Sequence, residues 1–435
     1  MSAGDLTTRF FLAAAVILIV CKLVSLLVGR TGQPPVVGEM IAGVLLGPSL
    51  LGEIAPRLEA DLFPKALLPV IYVAGQLGLV ALMFQAGQEL RSYLRPGLGR
   101  AAFTISGLGV AVPLAAGAGL AFAAHGRVAI FVPGVRIGVT AAFIGVTLAV
   151  TAFPMLARIL IERGLSGTRF GSVALACGGI DDMAAWILLA GVLSLASAKL
   201  WPFTKALGGA VVFAAILILV IRPLLERHLR RPGLSAQTVL LITMVLLLAA
   251  AWFTTDIGLY AVFGAFSIGL VMPPEPRDQD VPNSDQVRAG ADLVTPTMGG
   301  FSRTLVPMFF TYSGLNTRFA LLTNPRVLLF SVAAIVVAVL SKGGACWLGA
   351  RLAGERGLVP ARVATLMNAR GLMQLIALNV GLQAGIASAD LFTSLVLVAL
   401  VTTIMTAPVL SWIDRREVTT VPVPRMSAEL GEAAS

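Results

Sequence analysis

Two adjacent aspartates, Asp181 and Asp182, interrupt a long apolar run in the stretch Gly178-Gly179-Ile180-Asp181-Asp182-Met183. Because the run continues apolar from Ala184 to Ala196, the pair falls about nine residues inside a helix, roughly 13 Å deep at 1.5 Å per residue. An ionised carboxylate at that depth in hydrocarbon costs at least ~2.5–3.5 kcal/mol, so two side by side require a counter-charge, water or a bound cation. Lys342, in Val339-Leu340-Ser341-Lys342-Gly343-Gly344, lies about nine residues before Arg351 and therefore at a matching depth. A carboxylate pair facing an ammonium away from water can hold a monovalent cation or a proton, and its two carboxyls titrate as one coupled unit.

Two further apolar runs are broken at comparable depth. Thr151-Ala152-Phe153-Pro154 places a proline inside one of them, where it removes a backbone donor and frees carbonyls. Asn368-Ala369-Arg370-Gly371 interrupts the other. Irregular backbone at membrane depth is tolerated only against protein or a wet cavity, and a pair of interrupted spans in the two halves of a chain points to a transport site. Thr151 offers hydroxyl and carbonyl oxygens to a cation, and Arg370 offsets the partial negative ends of half-helices. Pro154, Asn368 and Gly371 mark the discontinuities themselves. Glu39, at the head of an earlier span, fits a cavity and an interface equally well.

These residues need a membrane around them. Of 435 residues, 57% are hydrophobic and only 12% charged, with mean hydropathy +0.91, which is more apolar surface than a soluble core can hide. Cutting the apolar runs at polar, Gly and Pro punctuation gives about thirteen spans of the length a bilayer demands. They centre on Phe10–Val28, Val36–Leu51, Leu67–Gln85, Ala101–Ala124, Ile137–Ile161, Ser172–Ala196, Phe203–Leu225, Val239–Phe253, Leu259–Met272, Phe301–Leu315, Val327–Leu352, Val363–Leu382 and Leu391–Trp412. The first reads as a retained span, with no cleavage site behind it. With the N-terminus outside, about 21 Lys and Arg fall on the cytoplasmic side against about 9 outside, and the odd number of spans leaves the C-terminus in the cytoplasm. The stretch Pro273 to Gly300 reads as a cytoplasmic connector between halves. After Trp412 only a short tail is expected, without a nucleotide-binding domain.

The formal net charge of +10 is spread between apolar runs and forms no aromatic-rich basic patch, so nucleic acid is not an expected partner. Cys21, Cys177 and Cys346 show no paired spacing, and His125 and His228 no ligand spacing, so no resident metal or cofactor is expected.

Along nearly its whole length the chain resembles the monovalent cation:proton antiporter-2 family, which includes Kef-type and plant cation/proton exchangers. The matching stretches are Pro35-Val36-Val37-Gly38-Glu39-Met40-Ile41-Ala42-Gly43, Val150 to Leu160, Asp181-Asp182 with Ala185-Trp186, Gly264-Ala265-Phe266, Phe309-Phe310 with Gly314-Leu315, Lys342, and Asn368-Ala369-Arg370-Gly371-Leu372-Met373-Gln374. The resemblance implies an all-α polytopic fold of the sodium/proton antiporter type, with inverted repeats and two crossed discontinuous helices. Residues 1–415 would form the transmembrane domain and 416–435 a short tail. Within it the resemblance implies a mobile core at about 101–196 and 327–412, a homodimer-forming scaffold at about 8–90 and 235–318, and a linker helix at about 203–227. It further implies that Asp182 carries cation and proton, that Asp181 pairs with Lys342, and that Thr151 is a ligand in the crossing. Gln374 stands where relatives carry glutamate.

The expected activity is therefore secondary exchange of protons for Na+ or K+ at a plasma membrane, with these ions as cargo. A channel-like or sensory protein keeping the fold is the alternative. An intramembrane aspartyl protease is disfavoured, because adjacent residues of one helix point about 100° apart and cannot form a facing dyad.

Overall fold

The computed structural model describes residues 2–93, 98–165, 167–197, 201–229, 235–273 and 284–420. The chain opens with α1 (Ala3–Gly29), capped by Ser2, whose hydroxyl accepts the Asp5 amide while the Asp5 carboxylate accepts the Ser2 amide. After α2 (Pro35–Leu46), with proline in its first turn, come two short turns, α3 (Leu51–Ile54) and α4 (Pro56–Leu62). Then follow α5 (Leu68–Tyr93), α6 (Gly99–Ala124), α7 (Ile137–Ala149), α8 (Phe153–Glu162) and α9 (Arg169–Ser197). The next helix, α10 (Trp201–Ile216), runs through a π-helical turn at Leu217–Ile221 into α11 (Arg222–Leu229). The second half comprises α12 (Ala236–Asp256), α13 (Ala261–Val271), α14 (Ser284–Leu315), α15 (Pro325–Leu352), α16 (Val359–Leu366), α17 (Gly371–Gln383) and α18 (Ala389–Thr420).

Each of the thirteen expected spans coincides with a helix or a broken helix pair. Nine helical stretches among the described residues are long and apolar enough to cross a bilayer alone, and four spans are not. Those four are the broken pairs α7/α8 and α16/α17, the short α13, and α14, whose first half is polar.

One expectation is corrected here. The stretch from Pro273 to Gly300 is not connector throughout, because α14 begins at Ser284 and carries helix through its second half. The extension has an inward face one turn apart, with Val294, Met298 and Ser302 all buried, and Gln85 of α5 donates to the Thr295 carbonyl. Polar composition hid an amphipathic helix that needs only a stripe of apolar residues.

The order of elements carries a symmetry. α6, broken α7/α8 and α9 are the fourth to sixth spans; α15, broken α16/α17 and α18 are the eleventh to thirteenth. Seven crossings separate corresponding members, so the second triplet traverses the membrane in the opposite sense. The same offset relates α1, α2 and α5 to α12, α13 and α14.

Glycine contacts obey that relation. A side chain at Gly43 of α2 would strike the Phe310 carbonyl of α14, and one at Gly314 of α14 the Gly43 carbonyl. In the related pair, Gly269 of α13 abuts the Phe84 carbonyl of α5, and Gly87 of α5 the Phe266 carbonyl of α13. Bare backbone lets these helices approach closely, where lipid supplies no hydrophobic drive and packing holds the bundle. Gly314→Ala is accordingly expected to destabilise by about 1–3 kcal/mol through overpacking, seen as a lower Tm in detergent. Gly119→Ala, which points into open space, is the control and should leave the Tm unchanged or slightly higher.

Candidate ion-binding site

The two broken spans meet at their breaks. Val150, Thr151 and Ala152 separate α7 from α8, and Met367 to Arg370 separate α16 from α17. The Ala152 amide donates to the Ala369 carbonyl across 2.9 Å, tying one break to the other. Pro154 stands second in α8, where its missing N–H forfeits no helix bond, so the chain breaks just ahead of the proline. Gly371 opens α17 at φ +50, a left-handed conformation suited to glycine.

Four half-helix ends thus converge in the bilayer with unspent backbone groups. The C-terminal carbonyls of α7 are met by cations: Lys342 Nζ donates to the Ala149 carbonyl at 2.6 Å, and Arg370 Nη1 to the Thr147 carbonyl at 3.3 Å. Arg370 also donates through Nη2 to the Ala338 carbonyl of α15 at 3.0 Å. Both cations are wholly buried, and each sits where the helix dipole favours positive charge. Asn368 turns its amide nitrogen back to the Ala364 carbonyl, 3.1 Å away, and leaves its Oδ1 without a donor.

The aspartates of α9 face this crossing and are treated unequally by it. Asp181 Oδ2 accepts from Lys342 Nζ at 2.6 Å, and the Thr151 hydroxyl lies 3.0 Å from the same oxygen and 3.1 Å from the Met367 carbonyl. Lys342 and Asp181 form an ion pair whose side chains are both fully excluded from solvent. Asp182 is equally buried, yet neither of its oxygens makes a regular hydrogen bond; the Phe153 amide at the head of α8 reaches toward it without closing one. Both carboxylate oxygens of Asp182, with Asp181 Oδ1, remain as free acceptors, and the Thr151 hydroxyl lies beside Asp181. Hard oxygen donors of this kind suit an alkali cation.

Eight of the residues singled out in the sequence occupy the crossing or its edges: Asp181, Asp182, Thr151, Lys342 and Arg370 as side chains, and Pro154, Asn368 and Gly371 at the breaks. Glu39 lies half-buried on α2 close to Cys21 of α1. Gln374, one turn into α17, donates to the Leu395 carbonyl at 3.1 Å.

Several participants could not be read from spacing. The carbonyls of Thr147, Ala149, Ala338 and Met367 become ligands for side chains only once the breaks are folded. Two aromatic contacts also flank the aspartates: Phe153 meets Phe266 edge-on at 5.9 Å, and Trp186, one turn beyond Asp182, meets Tyr260 at 5.4 Å. Tyr260 has φ +66, the one non-glycine residue of positive φ among those described, at a backbone cost of about 1–3 kcal/mol.

Residues 15–413 match the sodium/hydrogen exchanger transmembrane family. The chain belongs to that family. It is 35% identical over 418 residues to the Na(+)/H(+) antiporter NhaS4 of Synechocystis sp., covering 93% of this chain and 97% of that one. It is 32% identical to the K(+)/H(+) antiporter 1 of Saccharomyces cerevisiae over 92% of this chain, but only 46% of the yeast protein. The chain likewise spans about half the length of plant relatives such as cation/H(+) antiporter 17 of Arabidopsis thaliana, at 47%. Among solved structures, the sodium proton antiporter MjNhaP1 of Methanocaldococcus jannaschii superposes with a TM-score of 0.65 at 16% identity, over 95% of this chain and 99% of that one. The fold expected from the family motifs is thereby the fold found.

Proposed function

We propose that this member of the exchanger family moves protons against Na+ or K+ by alternating access, with Asp182 as the shared carrier. The observation that carries the reading is the inequality of the two aspartates. Asp181 is committed to Lys342 and Thr151, whereas Asp182 is buried at the same depth with its oxygens uncommitted. An uncommitted buried carboxylate is tolerable only when neutralised, by a proton or by a cation. Occupation by one excludes the other, and that competition couples the two fluxes when the site faces one side at a time. Thr151 and Asp181 complete the cation's oxygen ligands; Lys342 and Arg370 balance charge and helix ends.

The moving part is α6 to α9 with α15 to α18, working against a scaffold of α1 to α5 and α12 to α14, with α10 and α11 as the link. Packing favours this division, since α6 lies on α7, α9 and α15, while α5 lies on α13 and α14, and α2 on α1 and α14. The scaffold would also pair two copies of the chain. We place the protein in a plasma membrane with its N-terminus outside.

Proton release from inside-out vesicles, followed with a pH-sensitive dye and titrated with Na+, K+ and Li+, tests the reading. Cation-dependent dye recovery that follows an imposed pH gradient is expected. Cation flux indifferent to that gradient would overturn exchange in favour of a channel.

A further inference from the structure

The ammonium of Lys342 has a neighbour that neither the ion pair nor the crossing accounts for. α6 passes along α9 and α15, and its buried residues Ala102, Ser106 and Gly109 meet them on successive turns. The Cys177 thiol of α9 points at the Ala102 carbonyl, and the Ser106 hydroxyl donates to the Cys177 carbonyl at 3.2 Å. At Gly109 the contact is with the ion site itself. A Cβ there would stand 2.7 Å from Cys346 Sγ, 3.8 Å from Lys342 Nζ and 4.0 Å from Lys342 Cε. Lys342 and Cys346 are one helical turn apart on α15 and neither has any exposed surface. A Cβ at 2.7 Å would force the thiol to shift, and it would do so in a fully buried, close-packed setting that it shares with Lys342.

Other glycines of α6 are different. Gly107 and Gly119 face open space, and Gly117 packs on the backbone of Gly145 in α7. Gly109 alone among these four meets the end of a charged side chain. A glycine inside a helix weakens it relative to alanine, so its use here calls for a reason in packing.

We propose that Gly109 is a positioning residue for Lys342, its missing side chain leaving the notch in which the ammonium and the Cys346 thiol lie side by side. The notch fixes Nζ against Asp181 Oδ2 and the Ala149 carbonyl at once. This assignment rests on the exchange reading, since it supposes that the Lys342–Asp181 pair sets how the site loads.

The test compares Gly109→Ala, Cys346→Ala and the double variant in proteoliposomes, reading both the pH of half-maximal exchange and the half-saturating cation concentration. Gly109→Ala is expected to displace at least one of these by about threefold in concentration or more, equivalent to about half a pH unit. Adding Cys346→Ala, which empties the space the new methyl needs, should bring it back. Gly117→Ala, a packing lesion on the same helix, should lower thermal stability without displacing either quantity, and Gly107→Ala should change nothing. If Gly109→Ala does not accumulate, Cys346→Ala alone must displace the profile, since it loosens the same notch. A Gly109→Ala profile coincident with wild type, a displacement that Cys346→Ala does not reverse, or an unmoved Cys346→Ala in the non-accumulating case overturns the assignment. The exchange reading fails separately, through an Asp182→Asn protein that still exchanges.

Discussion

Asp182→Asn is expected to reduce cation-dependent proton movement to the level of empty liposomes while leaving the protein folded. The side chain keeps its shape but can no longer trade a proton for a cation, so the shared site ceases to exist. Its fold should tolerate the change because neither Asp182 oxygen anchors a regular hydrogen bond that an amide would break. An unpaired carboxylate at 2% exposure is also a burden that the neutral amide removes. The measurement is dye-monitored exchange in proteoliposomes together with a melting curve in detergent. Loss of exchange with an unchanged or raised Tm is the signature of a carrier, and wild-type exchange in the variant would remove Asp182 from the mechanism. Loss of exchange with a collapsed Tm would instead make Asp182 a structural residue.

That outcome separates Asp182 from its neighbour, and the separation was only half legible in the sequence. Depth in an apolar run marked both aspartates as needing a partner, and an equal depth marked Lys342 as that partner, because membrane burial makes any charge conspicuous. Which aspartate the lysine takes could not follow from depth. It is decided by the 100° that separates adjacent residues on a helix and by the placement of Thr151, which depends on where the α7/α8 break falls. The breaks themselves were visible at Pro154 and at Asn368-Ala369-Arg370-Gly371. Their meeting, by an Ala152 to Ala369 hydrogen bond, was not, because backbone groups carry no sequence signal.

A similar limit applies to the scaffold. Thirteen spans were readable from hydropathy, since a bilayer imposes one length on every crossing. The first half of α14 is not legible in hydropathy, because charged and polar residues interrupt its apolar stripe. Gly109 was equally opaque, as a small residue on a helix flank looks like ordinary packing until its neighbour proves to be Lys342.

Lys342→Met should be the most destabilising single substitution at the site. It strips the counter-charge from Asp181 and the donor from the Ala149 carbonyl, both bonded to Nζ at 2.6 Å. Breaking a fully buried pair by removing one partner costs about 3–5 kcal/mol, because the survivor is left charged and unpaired, whereas replacing both partners by uncharged groups is often close to neutral. Asp181→Asn added to Lys342→Met should therefore recover most of the lost stability, giving a coupling energy well beyond the few tenths of a kcal/mol that independent sites show. Melting curves of the two single variants and the double variant in one detergent measure it. Additive losses would mean that the two groups are not paired in the membrane, and the charge balance drawn here around Asp182 would have to be sought elsewhere. Exchange assayed on the same proteins distinguishes fold from function: Asp182 remains in the double variant, so its recovery of stability without recovery of wild-type pH dependence would show that the pair does more than hold α9 to α15.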